Sequence, residues 1–529
     1  MTDHCIPRRV LGHAVSTIVL GCILLLSALG EAGARKVLVL SMQFGSHLNE
    51  FAAISHGLLE MGHTVHVVMD ENLKNPTQFR GMDVQFLYYK SPNKSMVDQK
   101  LVDERWTEVF LIKRLTKAEA VNTLTQPRFT YDCKMALHDA DLLKHLEEEK
   151  YDIALVDLLI PCYYLLTHKI GVPTVSLSTL QYTWFVKTHP LVNFFAPCGV
   201  DAETNTFLTR LTTFFLVIYF ERYVLVRTFV DMQQFTEYGR EKPYSSWQDI
   251  AMKSKLFIMN KNGVIDCPTP SMPNLIQVGG LTTKPPKPLP ADYQKFVDDS
   301  QHGVIVLSFG SAVAYIPKEM FLKFLSAFGN IKQRVIWRIT RTYDETIPEN
   351  VKIVQWMPQN DLLAHPNVKL FITHCGGNGQ FEAVNNGVPM LSFPVFAEQE
   401  YNAQRAFHKG YGLRMNIHNF TSEELIKAIN EIIQNPKYSA AIKKASAIHR
   451  SLPDPRKTSA FWIDHVMEHG DDHLRTSLSE MTSVQYFMID IFAFLALFVL
   501  LILFVLKKLV QFAIVKFAGH REDVAKKTN

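Results

Sequence analysis

Two α/β domains with parallel sheets, facing each other across a cleft and followed by a membrane-spanning helix, are the architecture this sequence predicts. Strand-like apolar runs alternate with helical spacing in two separate series: "KVLVLSM", "HTVHVVM", "YDIALVD" and "PTVSLST" in the first half, then "GVIVLSFGS", "RVIWRIT", "VKIVQWM", "VKLFITH" and "VPMLSFP". Strands that alternate with helices in this way build parallel sheets through right-handed crossovers. Between the two series, "VGGLTTKPPKPLPADY" (278–293) concentrates proline and lysine, the composition of a semi-rigid linker, here placed at 281–293. Near the end, "YFMIDIFAFLALFVLLILFVL" at 486–506 is long enough as a helix to cross a hydrocarbon core of about 30 Å.

A chain of 529 residues with 47% hydrophobic content can bury more than one core, which sets the domains at 35–280 and 294–480. The net charge of +4 comes from dispersed lysines and arginines, so nucleic acid is not an expected partner. Arg8 and Arg9, an apolar run and the small residues Ala32 and Ala34 make 1–34 a secretory signal peptide. Lys507 and Lys508 follow the span directly, and the tail at 507–529 is basic; by the positive-inside rule the tail is expected to be cytoplasmic and everything before the span lumenal, a single-pass type I membrane topology. Lys526 and Lys527 near the C-terminus resemble a dilysine retrieval signal, which places the chain in the endoplasmic reticulum membrane. Cys133, Cys162, Cys198, Cys267 and Cys375 are scattered and form neither a disulfide framework nor a zinc spacing. Asn93 and Asn419 head glycosylation sequons.

The run at 206–230, "TFLTRLTTFFLVIYFERYVLVRTFV", is strongly apolar but interrupted by arginines and a glutamate. The readings that stay open are a buried helix or pair of helices, a greasy acceptor wall, or a membrane-dipping segment.

Chemistry concentrates in "FITHCGGNGQFEAVNNGVPMLSFPVFAEQ" at 371–399. A strand runs into small residues and then a helical pattern, which brings backbone close to phosphate and seats an anion on the helix N-terminus. In the other half, "SMQFGSHLNE" puts His47 just past the first strand, at the sheet edge that faces the cleft, and Asp157 closes the strand "YDIALVD". His63 and His66 alternate on a strand and are structural in this reading. Asp139 and Asp141 have the spacing of metal-binding transferases, but they sit in a polar helical run where solvated carboxylates are expected. With a helix N-terminus and a histidine available to an anion, no metal is expected.

The run at 356–399, with the leader, the histidine after the first strand, the Pro/Lys linker, the "FWIDHV" helix, the span and the basic tail, resembles the UDP-glycosyltransferase superfamily, and more narrowly the membrane-bound UDP-glucuronosyltransferases of animals. The resemblance implies a GT-B fold: two Rossmann-like domains, the first for the acceptor and the second for the UDP-sugar, which is a co-substrate. It implies that Trp356 stacks on uracil and Gln359 contacts the uridine. It places the diphosphate against His374, Gly377, Asn378 and Gly379 with help from Ser311, the ribose hydroxyls on Glu382, and the transferred sugar on Glu398 and Gln399. These roles suit the residue types: an aromatic face for a base, a helix N-terminus for phosphate, carboxylates for vicinal hydroxyls. His47 is implied as the catalytic base, with Asp157 as its orienting partner.

The implied activity is transfer of a hexosyl group, glucuronic acid or glucose, from a UDP-sugar to a hydroxyl of a small lipophilic acceptor. Asn260 stands where glucuronate-using relatives carry an arginine, and Glu398 replaces their usual aspartate, which leaves the sugar open; Lys261 next door could substitute for the arginine. A lipid-biosynthetic glycosyltransferase and a catalytically inactive modulator of related chains are the alternatives, and a homo- or hetero-oligomer is left open.

Overall fold

The computed structural model describes residues 33–43, 45–74, 76–91, 107–112, 134–178, 206–208, 211–212, 214–215, 237, 247–266, 271–310, 313, 315–396, 398–475 and 481–527. Expectations that concern the leader before residue 33, Asn93, Cys133, Cys198, Cys267, Ser311 and most of 206–230 lie outside the described residues. Two compact units are present, Met1–Asp471 and Asp472–Asn529.

The first unit contains two all-parallel sheets. Seven strands, β1 (Lys36–Leu40), β2 (Thr64–Asp70), β3 (Val84–Tyr89), β4 (Ile153–Asp157), β5 (Thr174–Ser178), β6 (Leu256–Met259) and β7 (Leu275–Gln277), form the first in the order β3-β2-β1-β4-β5-β6-β7. Six strands, β8 (Val304–Ser308), β9 (Arg334–Arg338), β10 (Val351–Val354), β11 (Val368–Thr373), β12 (Met390–Ser392) and β13 (Gly412–Arg414), form the second in the order β10-β9-β8-β11-β12-β13. Each sheet grows outward in both directions from its first strand. The order therefore reverses between β1 and β4 in one and between β8 and β11 in the other, and crevices open at the strand C-termini there.

The central strands are buried on both faces, which is why they appear in the sequence as continuous apolar runs rather than as an alternation. In the second sheet, one face carries an aromatic core: Phe324 touches the rings of Phe309, Phe328, Trp337, Phe393 and Phe420 at centroid separations of 5.0 to 5.9 Å. Phe309 and Phe393 extend beyond the C-terminal ends of β8 and β12, so this core supports the loops at the sheet edge.

Seven helices frame the crevices and the chain's end. They are α1 (Gly45–Glu60), α2 (Gln359–Leu363), α3 (Gly377–Asn386), α4 (Gln399–His408), α5 (Pro436–Ser451), α6 (Pro455–His469) and α7 (Ile489–Lys527). Local chemistry sets their ends. The Asn435 and Asp454 side chains accept from backbone N–H groups at the starts of α5 and α6, each with proline in the first turn, and α3 stops at Gly387 in the left-handed region. After its start, α6 returns to the first sheet's side and packs on α1. A Cβ on Gly57 would meet the Arg456 carbonyl at 2.8 Å, and Asp464 reaches His63 Nε2 at 3.2 Å. The linker passes the other way, with Gly279 against the ring of Phe381 in α3.

In the second unit, Ile489–Lys516 of α7 is long and apolar enough to cross a membrane, spanning about 42 Å at 1.5 Å per residue. The helix runs on past Lys507 and Lys508 without a break. Cys162 is disulfide-bonded, whereas Cys375 is free and buried. The described apolar residues of 206–230, Phe207, Leu208, Leu211, Phe214 and Phe215, are exposed.

Phe324 is fully buried, so Phe324→Ala deletes a ring from the centre of the second core. The expected cost is about 3–5 kcal/mol, measured as a lowered denaturant midpoint of the detergent-solubilised protein; a midpoint within error of the parent would refute this placement of the core.

Candidate active site

The first sheet's crevice is built where β1 and β4 lie side by side. The β1 strand leads into α1, and His47 stands in that helix's first turn; β4 ends on Asp157. His47 Nδ1 lies 2.8 Å from Asp157 Oδ2 and donates to it. The carboxylate is 1% exposed and also accepts from the backbone N–H groups of Met42 at 3.3 Å and Leu159 at 3.0 Å. It is therefore a satisfied buried anion aimed at the imidazole.

Burial disfavours the charged form of His47, but the Asp157 carboxylate and its hydrogen bond, with Glu50 and Glu398 nearby, outweigh it and carry the group up to about 9. Glu50 follows His47 by three positions on α1, hence on the same helix face. Its carboxyl is buried, which pushes it up to about 7 against the pull of His47 and of the hydrogen bond from Asn260. That bond, Asn260 Nδ2 to Glu50 Oε1, is 2.8 Å long. Asn260 Oδ1 in turn accepts from the Gly280 N–H at 2.9 Å, at the start of the linker.

The second sheet's crevice lies between β8 and β11. His374 follows β11 and is clasped by two glycines: a Cβ on Gly310, whose φ is +73°, or on Gly376 would come within 2.5 or 2.6 Å of the ring Nε2. Only glycine fits at either place, and Gly310 also needs the left-handed backbone. Burial, with Arg338 beside it, holds His374 down to about 4 against a backbone hydrogen bond at Ser308, so it is neutral. Arg338 ends β9 and donates to the Gly310 carbonyl.

Helix α3 then begins at Gly377 with no side chain capping its N–H groups, and the residue ahead of the cap, Cys375, takes a φ of +66°. An uncapped N-terminus is an anion seat.

The remaining expected residues are arranged around this start. Asn378 in the first turn of α3 faces the other domain, its Nδ2 3.4 Å from the Ser46 carbonyl and its Oδ1 3.5 Å from Asn260 Nδ2. Trp356 is 68% exposed, as a stacking platform must be. Gln359, at the start of α2, donates to Glu382 of α3, whose carboxyl is pushed up to about 7 by burial. A Cβ on Gly379 would touch Gln359 Nε2 at 3.6 Å. Glu398 stands at the N-cap of α4, its carboxyl raised by burial, and is within electrostatic reach of His47. Gln399 is buried, with Oε1 accepting from Val395 and Phe396 N–H groups at 2.9 and 3.0 Å.

The structure thus brings His47, Asp157, Asn378 and Glu398 to one junction and lays Gln359, Glu382 and the exposed face of Trp356 further along the second sheet's edge.

Two residues of the junction escaped the sequence reading. Glu50 could have been found from its helical spacing to His47, and Arg338 from its place at the C-terminal end of a strand adjoining β8. Lys261 is buried beside Arg405, and burial lowers it to about 7; Arg405 is paired with Asp266. Asp139 accepts from Leu142 N–H at the start of a helix and Asp141 pairs with Lys90 at 2.8 Å. His66 meets Tyr151 Oη at 2.7 Å, a contact within the fold.

A site with a carboxylate-oriented imidazole on one wall and an uncapped helix start, a neutral histidine and an arginine on the other can accept a proton and receive a departing anion. Comparison with known proteins identifies the fold. The solved structure of a UDP-glucosyltransferase from Polygonum tinctorium capable of glucosylating indoxyl covers 83% of the chain and 99% of its own at a TM-score of 0.58 and 14% identity. The glycotransferase of kitacinnamycin gives a TM-score of 0.59 at 16% identity over 82% of this chain and 99% of its own. Both are GT-B glycosyltransferase structures, and the two parallel sheets match that fold.

In sequence, the 2-hydroxyacylsphingosine 1-beta-galactosyltransferase of Mus musculus is 32% identical over 92% of this chain and 90% of its own length. The UDP-glucuronosyltransferase 1A5 of Rattus norvegicus is 30% identical over 96% of this chain and 97% of its own. The family profile described as "UDP-glucoronosyl and UDP-glucosyl transferase" matches residues 35–524, and the chain belongs to that family of glycosyltransferases.

Proposed function

We propose that this glycosyltransferase moves a hexosyl group, glucuronic acid or glucose, from its UDP-sugar to a hydroxyl of a small lipophilic acceptor, in one displacement with inversion at the anomeric carbon. The observation that carries the reading is the 2.8 Å contact of His47 Nδ1 with Asp157 Oδ2, set beside the start of α3 through Asn378. With Nδ1 committed to the carboxylate, Nε2 is the nitrogen that takes the acceptor's proton. The acceptor oxygen forms its bond to the anomeric carbon while the bond from that carbon to the diphosphate oxygen breaks, and UDP leaves with the electron pair toward the α3 N-terminus. Asp157 stays ionised and stabilises the imidazolium. His374, kept neutral, and Arg338 support the leaving diphosphate, and Trp356, Gln359 and Glu382 hold the uridine.

A lipid acceptor is favoured by one finding: relatives whose names specify an acylsphingosine acceptor match this chain as well as the glucuronosyltransferases do. The membrane-spanning candidate α7 and its basic flank support a single-pass protein of the endoplasmic reticulum with lumenal catalytic domains.

A donor screen on membranes containing the protein, with UDP-glucuronate, UDP-glucose and UDP-galactose against a panel of phenols, alcohols and ceramide, tests the reaction. His47→Ala is expected to lower transfer to alcohols by roughly 10² to 10⁴ while UDP-sugar binding is retained; equal loss of both would remove His47 from the base role. The raised pKa of His47 fixes a pH profile. Below about 9 the imidazole already holds the proton it must accept, so kcat/KM for an alcohol acceptor should climb with pH and level off above that value. A profile flat from pH 6 to 9 would contradict it. Asn419 is exposed, so Asn419→Gln should abolish one glycosidase-sensitive mobility shift if the catalytic domains are lumenal; a chain whose mobility never responds to glycosidase points to the opposite topology.

A further inference from the structure

The proposal concerns Glu50. Its side chain is buried at 2% exposure, and it belongs to none of the roles assigned above. A carboxylate is rarely buried without a partner, and this one is held by Asn260 Nδ2 at 2.8 Å. The same amide nitrogen lies 3.5 Å from Asn378 Oδ1, on the helix start that would receive the diphosphate. Glu50 therefore stands between the His47 wall and the donor wall, where the hexose must lie if UDP occupies α3.

Among the described residues, three carboxyl groups surround this position beside one imidazole. Asp157 closes the β4 side, Glu398 approaches from the start of α4, and Glu50 projects from α1; all three act on His47, the one cation among them. The nearest cationic candidate in the sequence, Lys261, is buried beside Arg405, whose guanidinium is taken by Asp266, and Arg338 is engaged at Gly310 and His374. A hexose with a carboxylate at C6 would bring a fourth carboxyl group to a single imidazolium, and like-charge juxtaposition at a desolvated contact is strongly disfavoured, most of all above about pH 7 where Glu50 is ionised. A hexose whose C6 bears a hydroxyl adds no charge and can donate to a carboxylate.

We propose that Glu50 is a donor-specificity residue: its carboxylate, held by Asn260 against the start of α3, selects a UDP-hexose that is uncharged at C6 and excludes a UDP-uronate. This rests on the reading of the cleft as a UDP-hexose site and narrows its sugar from two candidates to the neutral class.

Binding of UDP, UDP-glucose, UDP-galactose and UDP-glucuronate to the detergent-solubilised full chain tests it without knowledge of the acceptor. The parent is expected to bind a neutral UDP-hexose at least about tenfold tighter than UDP-glucuronate, a difference of 1.4 kcal/mol. Glu50→Gln should shrink that ratio by about tenfold while the Kd for UDP stays as in the parent, and Glu50→Asp, which keeps the charge, should preserve the ratio. A purely structural role for Glu50 would weaken all donors together and leave the ratio unmoved. Should Glu50→Gln fail to hold UDP, Asn260→Arg decides on the same ratio, since a cation placed against Glu50 must favour the uronate. A parent that prefers UDP-glucuronate, or a ratio unchanged in both variants, overturns the assignment while leaving the donor site intact. A parent that binds UDP and no UDP-sugar differently from UDP overturns it too, and a parent that binds no UDP overturns the donor-site reading beneath it.

Discussion

The hydrogen bond between His47 and Asp157 is the constraint to which the first domain is built. Its partners are 110 positions apart in the chain and are neighbours only because β1 and β4 are adjacent in a parallel sheet. That adjacency exists because the sheet grows away from β1 on both sides, and the crevice opens where the order reverses. The buried carboxylate tolerates its position because Met42 and Leu159 supply backbone donors, so the loops after β1 and β4 are fixed by the same group they present. Fixing the first turn of α1 also fixes Ser46 and Glu50, and through them the contacts to Asn378 and Asn260. One ion pair thus sets the base's direction and the approach of the second domain.

The two histidines of the cleft show how environment separates the chemistry of one residue type. Burial opposes the charge of both. At His47 three carboxylates overcome it and the ring is held protonated up to about 9, whereas at His374 Arg338 adds to it and the ring is neutral down to about 4. A protonated resting imidazole is not yet a base. In the proposed mechanism its proton must leave before an acceptor binds productively, and the carboxylates that raise its affinity for a proton would also strengthen its pull on the acceptor hydroxyl, a Brønsted trade between fraction active and strength. The neutral His374 has no such conflict, because a leaving diphosphate needs a donor in a dry, preorganised place rather than a mobile proton.

Much of this was legible in the sequence for a physical reason. Strands buried on both faces have to be apolar throughout, so the sheets announce themselves at "KVLVL" and "VIVLS". The glycine run after β11 was legible as a close approach of backbone to an anion, but the clasp of His374 by Gly310 and Gly376, where a Cβ would come within 2.5 or 2.6 Å of the ring, was not, because it depends on β8 lying beside β11. Glu50 and Arg338 were not, since a single charge on a helix or at a strand end looks the same whether solvated or buried; what distinguishes them is the strand order, which periodicity does not give. The return of α6 to α1 was equally hidden. Gly57 lies in an ordinary helical pattern, and its role as the contact with Arg456 appears only when the far end of the chain is placed beside it. Asp139 and Asp141, set aside in the sequence as carboxylates of a polar helical run, are a helix cap and an exposed partner of Lys90.

The division of labour between the domains explains why similarity near 30% to both a sphingolipid galactosyltransferase and a glucuronosyltransferase identifies the family without identifying the sugar. In the proposed scheme the nucleotide and diphosphate are held by α2, α3 and the glycine-clasped His374, elements whose geometry is set by the second sheet and would serve any UDP-sugar. In the same scheme the hexose ring lies beyond them, against Glu50 from α1 and Asn260 after β6 on the first sheet's side and Glu398 ahead of α4 on the second's. These come from three separate segments and are joined by one hydrogen bond from Asn260 and by electrostatics, so each can change without disturbing the strand order or the helix starts. Specificity for the sugar can then drift while the fold and the leaving-group machinery stay fixed, because the residues that would decide it carry little of the packing that holds the two sheets in place.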